Sequence, residues 1–195
     1  MRTLKHVLTF LAVLLFFCCS LVVLRRALGV TTPWLALLAM FYFLALAKVA
    51  EPLFVLRMPA VLRPLRSWER QRNAYRRLAV PGFGTILRRT PLRYLNTAVY
   101  LDQRGRDLRR VRHQAESAEA SHFWAAVLLL PYIVFAWFNG QRLAAVGLLL
   151  AQVLVNCYPV LHLRFVRVRL DRAIHRQRAV FHRPHPRPIV DRGGL

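Results

Sequence analysis

Four apolar blocks divide this chain, and nothing else in the sequence limits its fold as strongly. Val7 to Leu24 holds no charge, and Val30 to Ala50 holds only Lys48, near enough to one end for its ammonium to reach water along its aliphatic stem. Phe123 to Phe138 and Leu143 to about Leu163 complete the set. Each has about 16 to 21 residues, close to the roughly 20 that a helix needs to cross a hydrocarbon core. A backbone that meets no water must bond to itself, so the blocks read as helices. The sequence therefore predicts an all-α integral membrane protein with four transmembrane helices, spans of about 7–24, 30–50, 123–138 and 143–163, in a single membrane domain over residues 1–180.

The third block is short and contains Pro131, features that also suit a core helix of a water-soluble domain. The tight Phe138-Asn139-Gly140-Gln141-Arg142 connection instead joins it to the fourth block as an antiparallel hairpin. The first block follows Arg2 and Lys5 as a signal peptide would, yet Phe16-Phe17-Cys18-Cys19 offers no small-residue cleavage pattern. It reads as a retained anchor.

Arginine and lysine concentrate between the second and third spans, Arg57 to Arg112, and after Leu163, while the opposite connections hold only Arg25, Arg26 and Arg142. The positive-inside bias then places both termini and the long middle segment in the cytoplasm. That segment is amphipathic and Arg-rich. Pro52 to Leu65 reads as an interfacial helix broken at Pro59 and Pro64, Ser67 to Ala79 as a charged helix with Trp68, Tyr75 and Leu78 on one side, and Pro81-Gly82-Phe83-Gly84 as a turn. One long helix is predicted from about Asp107 into the third span, and the fourth continues to about Val180 with an Arg167–Asp171 pair at i, i+4. Residues 181–195 read as a disordered basic tail.

A net charge of +22 raises the question of nucleic acid. No zinc-finger, helix-turn-helix or stacking module accompanies the charge, and it lies beside membrane spans, so anionic lipid and phosphorylated substrates are the expected partners and nucleic acid is not. Cys18, Cys19 and Cys157 all fall within spans and build no disulfide framework. His182 and His185 lack a third ligand, so no metal site is expected.

The polar exceptions gather where the third and fourth spans meet one face of the bilayer. Glu116, Glu119 and His122 share a helical face leading down to the membrane boundary, with Arg112 one turn above. A carboxylate so placed can hold an imidazole in one tautomer and raise its basicity; the plainer alternative is that Glu119 pairs with Arg112 and His122 marks the headgroup level. Asn156 lies about two turns inside the fourth span, where its amide must face protein. An antiparallel hairpin brings Asn156 and His122 into one region, with Arg164 and Arg167 on its rim.

The segment from Glu116 to Leu170 resembles the glycosyl-4,4'-diaponeurosporenoate acyltransferases, which finish staphyloxanthin-type carotenoids. The shared elements are Ala118-Glu119-x-x-His122-x-Trp124, Pro131, the Phe-Asn turn with Arg142, and Asn156 followed by Arg164 and Arg167-x-Arg169-Leu170. Leu163-Arg164-Phe165-Val166-Arg167 stands where the family has Gln-Arg-Tyr-Asn-Arg, which loses two hydrogen-bonding side chains and a phenol. The resemblance implies transfer of a fatty acyl group from acyl-CoA or a similar acyl thioester, with no bound cofactor, to a sugar hydroxyl of a glycosylated carotenoid or related glycolipid. The place would be the cytoplasmic face of a bacterial cytoplasmic membrane, with lipid, the lipidic glycosylated acceptor and other carotenoid-pathway enzymes as partners. On that reading His122 is the base, Glu119 its orienting partner and Asn156 an oxyanion donor, while Arg164, Arg167 and Arg169 contact phosphate or headgroup. A nucleophilic Cys157 is the lesser mechanism, because an apolar cysteine without an adjacent cation is inert. The rival from another class is a non-catalytic membrane scaffold or anionic-lipid-binding protein.

Overall fold

A computed structural model describes residues 2–27, 29–71, 73–90 and 107–181, without the side chains of Arg2, Arg88 and residues 178–181. His182, His185 and nearly all of the predicted tail lie outside these residues. The described chain is helical throughout its long elements, and four helices are long and apolar enough to cross a membrane: Thr3–Arg26, Thr32–Ala50, Leu108–Phe138 and Arg142–Gln177.

α1 (Arg2–Arg26) and α2 (Thr32–Ala50) form a hairpin whose connection includes Gly29 at φ 62°, a left-handed conformation that a Cβ disfavours. Leu4, Leu8, Leu11, Leu15 and Phe16 of α1 are all exposed, as a helix facing lipid requires. Its grip on α2 is the stack of Phe17 on Tyr42, ring centroids 4.0 Å apart, beside a 2.5 Å Ser20–Tyr42 hydroxyl pair. α2 then packs its other side on α5 (Leu108–Phe138), capped by the Asp107 carboxylate, which accepts from Arg109 N at 2.9 Å. Met40 meets Ala125, Leu129, Ile133, Ala136, Ala145 and Leu148 in the apolar core, where the alanines let helix backbones approach closely.

The α5–α6 turn closes by a Schellman motif: Gln141 N–H donates to Ala136 O at 2.9 Å and Gly140, at φ 78°, to Trp137 O at 3.3 Å. α6 (Arg142–Gln152) runs without a break through a π-helical turn, Val153–Cys157, into α7 (Tyr158–Phe181). Pro159 explains the irregularity. It has no N–H to give the Val155 carbonyl, and its ring crowds that carbonyl, so the helix widens by one residue and closes with Tyr158 N–H on Val153 O. α5 and α7 continue past the apolar part of the bundle and pack on Val111, Ala115, Leu163, Val166 and Leu170.

The segment after α2 departs from its sequence-based reading. Residues 52–66 are turns and extended backbone, not a broken helix. Their carbonyls are taken by side chains from the bundle: Trp124 Nε1–H donates to Arg57 O at 3.0 Å, Arg164 to Leu62 O and Pro64 O at 2.9 Å each, and Arg167 to Arg63 O at 3.1 Å. The charged helix expected from Ser67 to Ala79 is a 3-10 turn (Ser67–Arg70) and one turn of α3 (Ala74–Arg77), interrupted by extended Gln71. Glu69 causes the break by accepting from Arg66 N at 2.6 Å and turning into the bundle. Pro81 to Gly84 is not a turn but the start of α4 (Val80–Arg89), with the proline in the first turn, where its missing N–H costs nothing. α4 lies on α7, Phe83 against Tyr158 and His162.

Candidate active site

Antiparallel pairing of α5 with α6–α7 lines polar side chains up in order along the seam. Deepest is Gln152, whose Nε2 donates to the Ala126 carbonyl at 2.6 Å. One turn on, Asn156 Nδ2 donates to Gln152 Oε1 and to Met40 Sδ, leaving its carbonyl oxygen 3.3 Å from His122 Nδ1. Asn156 is fully buried. The Val155 carbonyl, released by Pro159, is a second polar neighbour of the ring. An amide oxygen cannot donate, so His122 Nδ1 carries the proton toward Asn156 and the Nε2 lone pair is the basic one.

One turn farther out the seam turns ionic. Glu119, 0 % exposed, receives Arg164 Nη1 on one oxygen at 2.7 Å and Arg167 Nη1 on the other at 2.6 Å. Arg164 also spans Glu69, with Nε on Oε1 at 2.5 Å and Nη2 on Oε2 at 2.8 Å, and Tyr75 OH donates to the same carboxylate at 2.9 Å. Two buried carboxylates thus meet two buried guanidiniums, which offsets desolvation that neither charge could bear alone. Burial pushes Glu69 up, but Arg164, the Arg66 amide and the Tyr75 hydroxyl together hold it below the ordinary carboxylate range. Burial and the Glu69 carboxylate raise the Tyr75 phenol well above its usual value, so it stays a donor. At the outer end Arg167 reaches Glu116 at 3.2 Å, and Arg112 lies 3.2 Å from Glu116 and 3.1 Å from Asp171. Asp171 therefore faces α5, not Arg167 as the i, i+4 reading anticipated.

The structure brings His122 and Asn156 together and separates Glu119 from His122. Both Glu119 oxygens belong to arginines, so the imidazole is oriented by a carboxamide and not by a carboxylate. Asn156 in turn spends its N–H groups on Gln152 and Met40, which leaves none aimed at an oxyanion. Arg164 and Arg167 are buried, at 8 % and 3 % exposure, in the network that pins residues 62–75 to α7. Arg169 is exposed, its guanidinium 5.8 Å from the centre of the Phe165 ring. Cys157 is exposed and outside the polar seam.

Three participants were missed. Gln152 stands four residues before Asn156 in an apolar block, a spacing that puts two carboxamides on one face and would have marked it. Glu69 gave no local signal, because its partner Arg164 is 95 residues away in sequence, and Tyr75, six residues on, joins the network only through Glu69.

Four helices long and apolar enough to cross a membrane thus carry charged and hydrogen-bonded side chains buried at one end of their seam. The chain belongs to the glycosyl-4,4'-diaponeurosporenoate acyltransferase family, whose defining pattern matches residues 59–176. That range holds the whole seam from Glu69 to Asp171 and leaves out α1 and α2. No curated protein matches the chain, and no solved structure does. The family is one of acyltransferases in carotenoid biosynthesis.

Proposed function

We propose that this protein transfers a fatty acyl group from a thioester donor to a sugar hydroxyl of a glycosylated carotenoid or closely related glycolipid, at the cytoplasmic face of a bacterial membrane. The observation that carries the reading is the His122 Nδ1–Asn156 Oδ1 contact of 3.3 Å at the inner end of the hairpin, inside a family of acyltransferases. An imidazole held as the Nδ1–H tautomer presents Nε2 as a general base. The acceptor hydroxyl gives its proton to Nε2 as its oxygen attacks the thioester carbonyl. The tetrahedral intermediate collapses to the sugar ester, and the thiolate leaves and recovers the proton from the imidazolium. Atoms balance without a covalent acyl-enzyme, and Cys157 has no task.

In this mechanism Asn156 orients the base, and Glu119, Arg164 and Glu69 hold the two helices and the 62–75 segment in register. His122→Gln keeps a hydrogen bond to Asn156 but removes the base. In a host that makes the glycosylated acceptor, ester formed by this variant, measured by mass spectrometry, is expected to fall at least a hundredfold at equal membrane abundance, in line with the roughly 10²–10⁴ a general base supplies. Cys157→Ala is expected to retain full ester. Equal ester from His122→Gln and the parent would instead favour the scaffold reading.

A further inference from the structure

A cavity of about 730 Å³ opens between the start of α5 and the segment that follows α2, beside the outer end of the ionic seam, with which it shares Glu116, Glu119 and Arg167. Arg57, Arg63, Arg109 and Arg110 line it, are exposed, and form no ion pair with any described residue. The acids on its wall are already engaged. Glu51 pairs with Lys48 at 2.5 Å, Asp107 caps α5, Glu116 meets Arg112 and Arg167, and Glu119 is held by Arg164 and Arg167. The charge left over is positive.

Two features favour an anion beside this surplus. Arg109 and Arg110 sit in the first turn of a 31-residue helix, where the macrodipole opposes cations and favours a bound anion. Arg167 lines the cavity, and its Nε is buried with no hydrogen-bond partner among the described residues. The volume lies within the range of roughly 300–1,000 Å³ that encloses whole small molecules and cofactors, larger than a lone phosphate needs. Val55, Leu56 and Met58 add an apolar wall.

We propose that the cavity holds the phosphorylated, nucleotide-bearing head of the acyl donor, a thioester of the coenzyme A type. The assignment to a donor rests on the acyl-transfer reading. His122 is not part of the lining; the cavity runs along α5 from Asp107 to Glu119, so its arginine end at Arg109 stands about 20 Å from His122 at 1.5 Å per residue, and its near end about 5 Å. The arginine end therefore takes the head of the donor and not its reacting end.

Direct binding of free coenzyme A to the whole protein, in nanodiscs of phosphatidylcholine alone, tests this without turnover. The expected result is salt-sensitive binding that weakens at least tenfold in the Arg109→Ala/Arg110→Ala double variant, with an unchanged melting temperature and with His122→Gln binding as the parent does. Weaker binding of 3'-dephospho-coenzyme A than of coenzyme A would add support. Equal binding by the double variant and the parent would overturn the proposal. So would a double variant that loses affinity for phosphatidylglycerol vesicles but not for coenzyme A, since the cavity would then be a lipid headgroup site. Loss of ester in His122→Gln with coenzyme A binding intact separates this site from the catalytic one, and failure of either leaves the other standing.

Discussion

At Gly84 a single added carbon would lie 2.5 Å from His162 Cε1 and 3.0 Å from its Nδ1. The imidazole packs where a Cβ would go, so an alanine there forces the His162 ring to move. Gly84→Ala is expected to cost about 1–3 kcal/mol, the usual range for overpacking, read as a lower melting temperature in detergent. Glu69 gives a sharper test because its role is electrostatic. Its carboxyl is held below the ordinary range in the folded state, so the stability it adds is present at neutral pH, above the unfolded value, and is lost as pH falls through the folded one. Glu69→Gln is expected to destabilise by about 3–5 kcal/mol at neutral pH, since it strips a partner from buried Arg164. Below the ordinary carboxylate range, melting curves of parent and variant should converge. At this scale Glu119, His122 and Asn156 were legible as polar residues in apolar surroundings. Which of them pair was not, because a carboxylate three residues from an imidazole can equally turn toward an arginine from another helix.

The π-helical turn at Val153–Cys157 links an element to the chemistry. Pro159 withholds the N–H that Val155 would otherwise accept, and the free carbonyl sits by His122. Pro159→Ala restores that donor. Melting temperature is expected to hold or rise, because proline in a helix interior costs about 3 kcal/mol, while ester formation falls as the turn tightens and Asn156 rotates away from the ring. A fall in both would mean that the proline only packs. The long helices were readable because hydropathy and length decide them locally. Residues 52–79 were not, since arginines of α7 and Trp124 of α5 take the carbonyls that a helix would use for itself. The prolines at 59 and 64 were read as breaks in a helix that does not form, and nothing within the segment announced where its backbone bonds would go.

On the scale of the molecule, α2 ends, α5 begins and α7 continues at the same end of the bundle, and that end gathers the cavity, the ionic seam and the His122–Asn156 pair. If all four candidate helices cross, Arg2 and Gln177 stand on one side of the membrane. Reporters active only in the cytoplasm, fused before Arg2 or after Gln177, are both expected to be active, as the arginine distribution requires. The matched region begins at residue 59: α1, outside it, touches the rest chiefly through α2, and among the described residues every buried charge lies within 59–176.

In the proposed mechanism Asn156 acts on the reaction through His122. A double-mutant cycle on purified, reconstituted protein, with kcat for ester formation measured for His122→Gln, Asn156→Ala and the pair, tests it most directly. Asn156→Ala is expected to slow the parent at least tenfold yet leave the His122→Gln background unchanged. Equal fractional losses from Asn156→Ala in both backgrounds would mean that the two residues act independently and would contradict it.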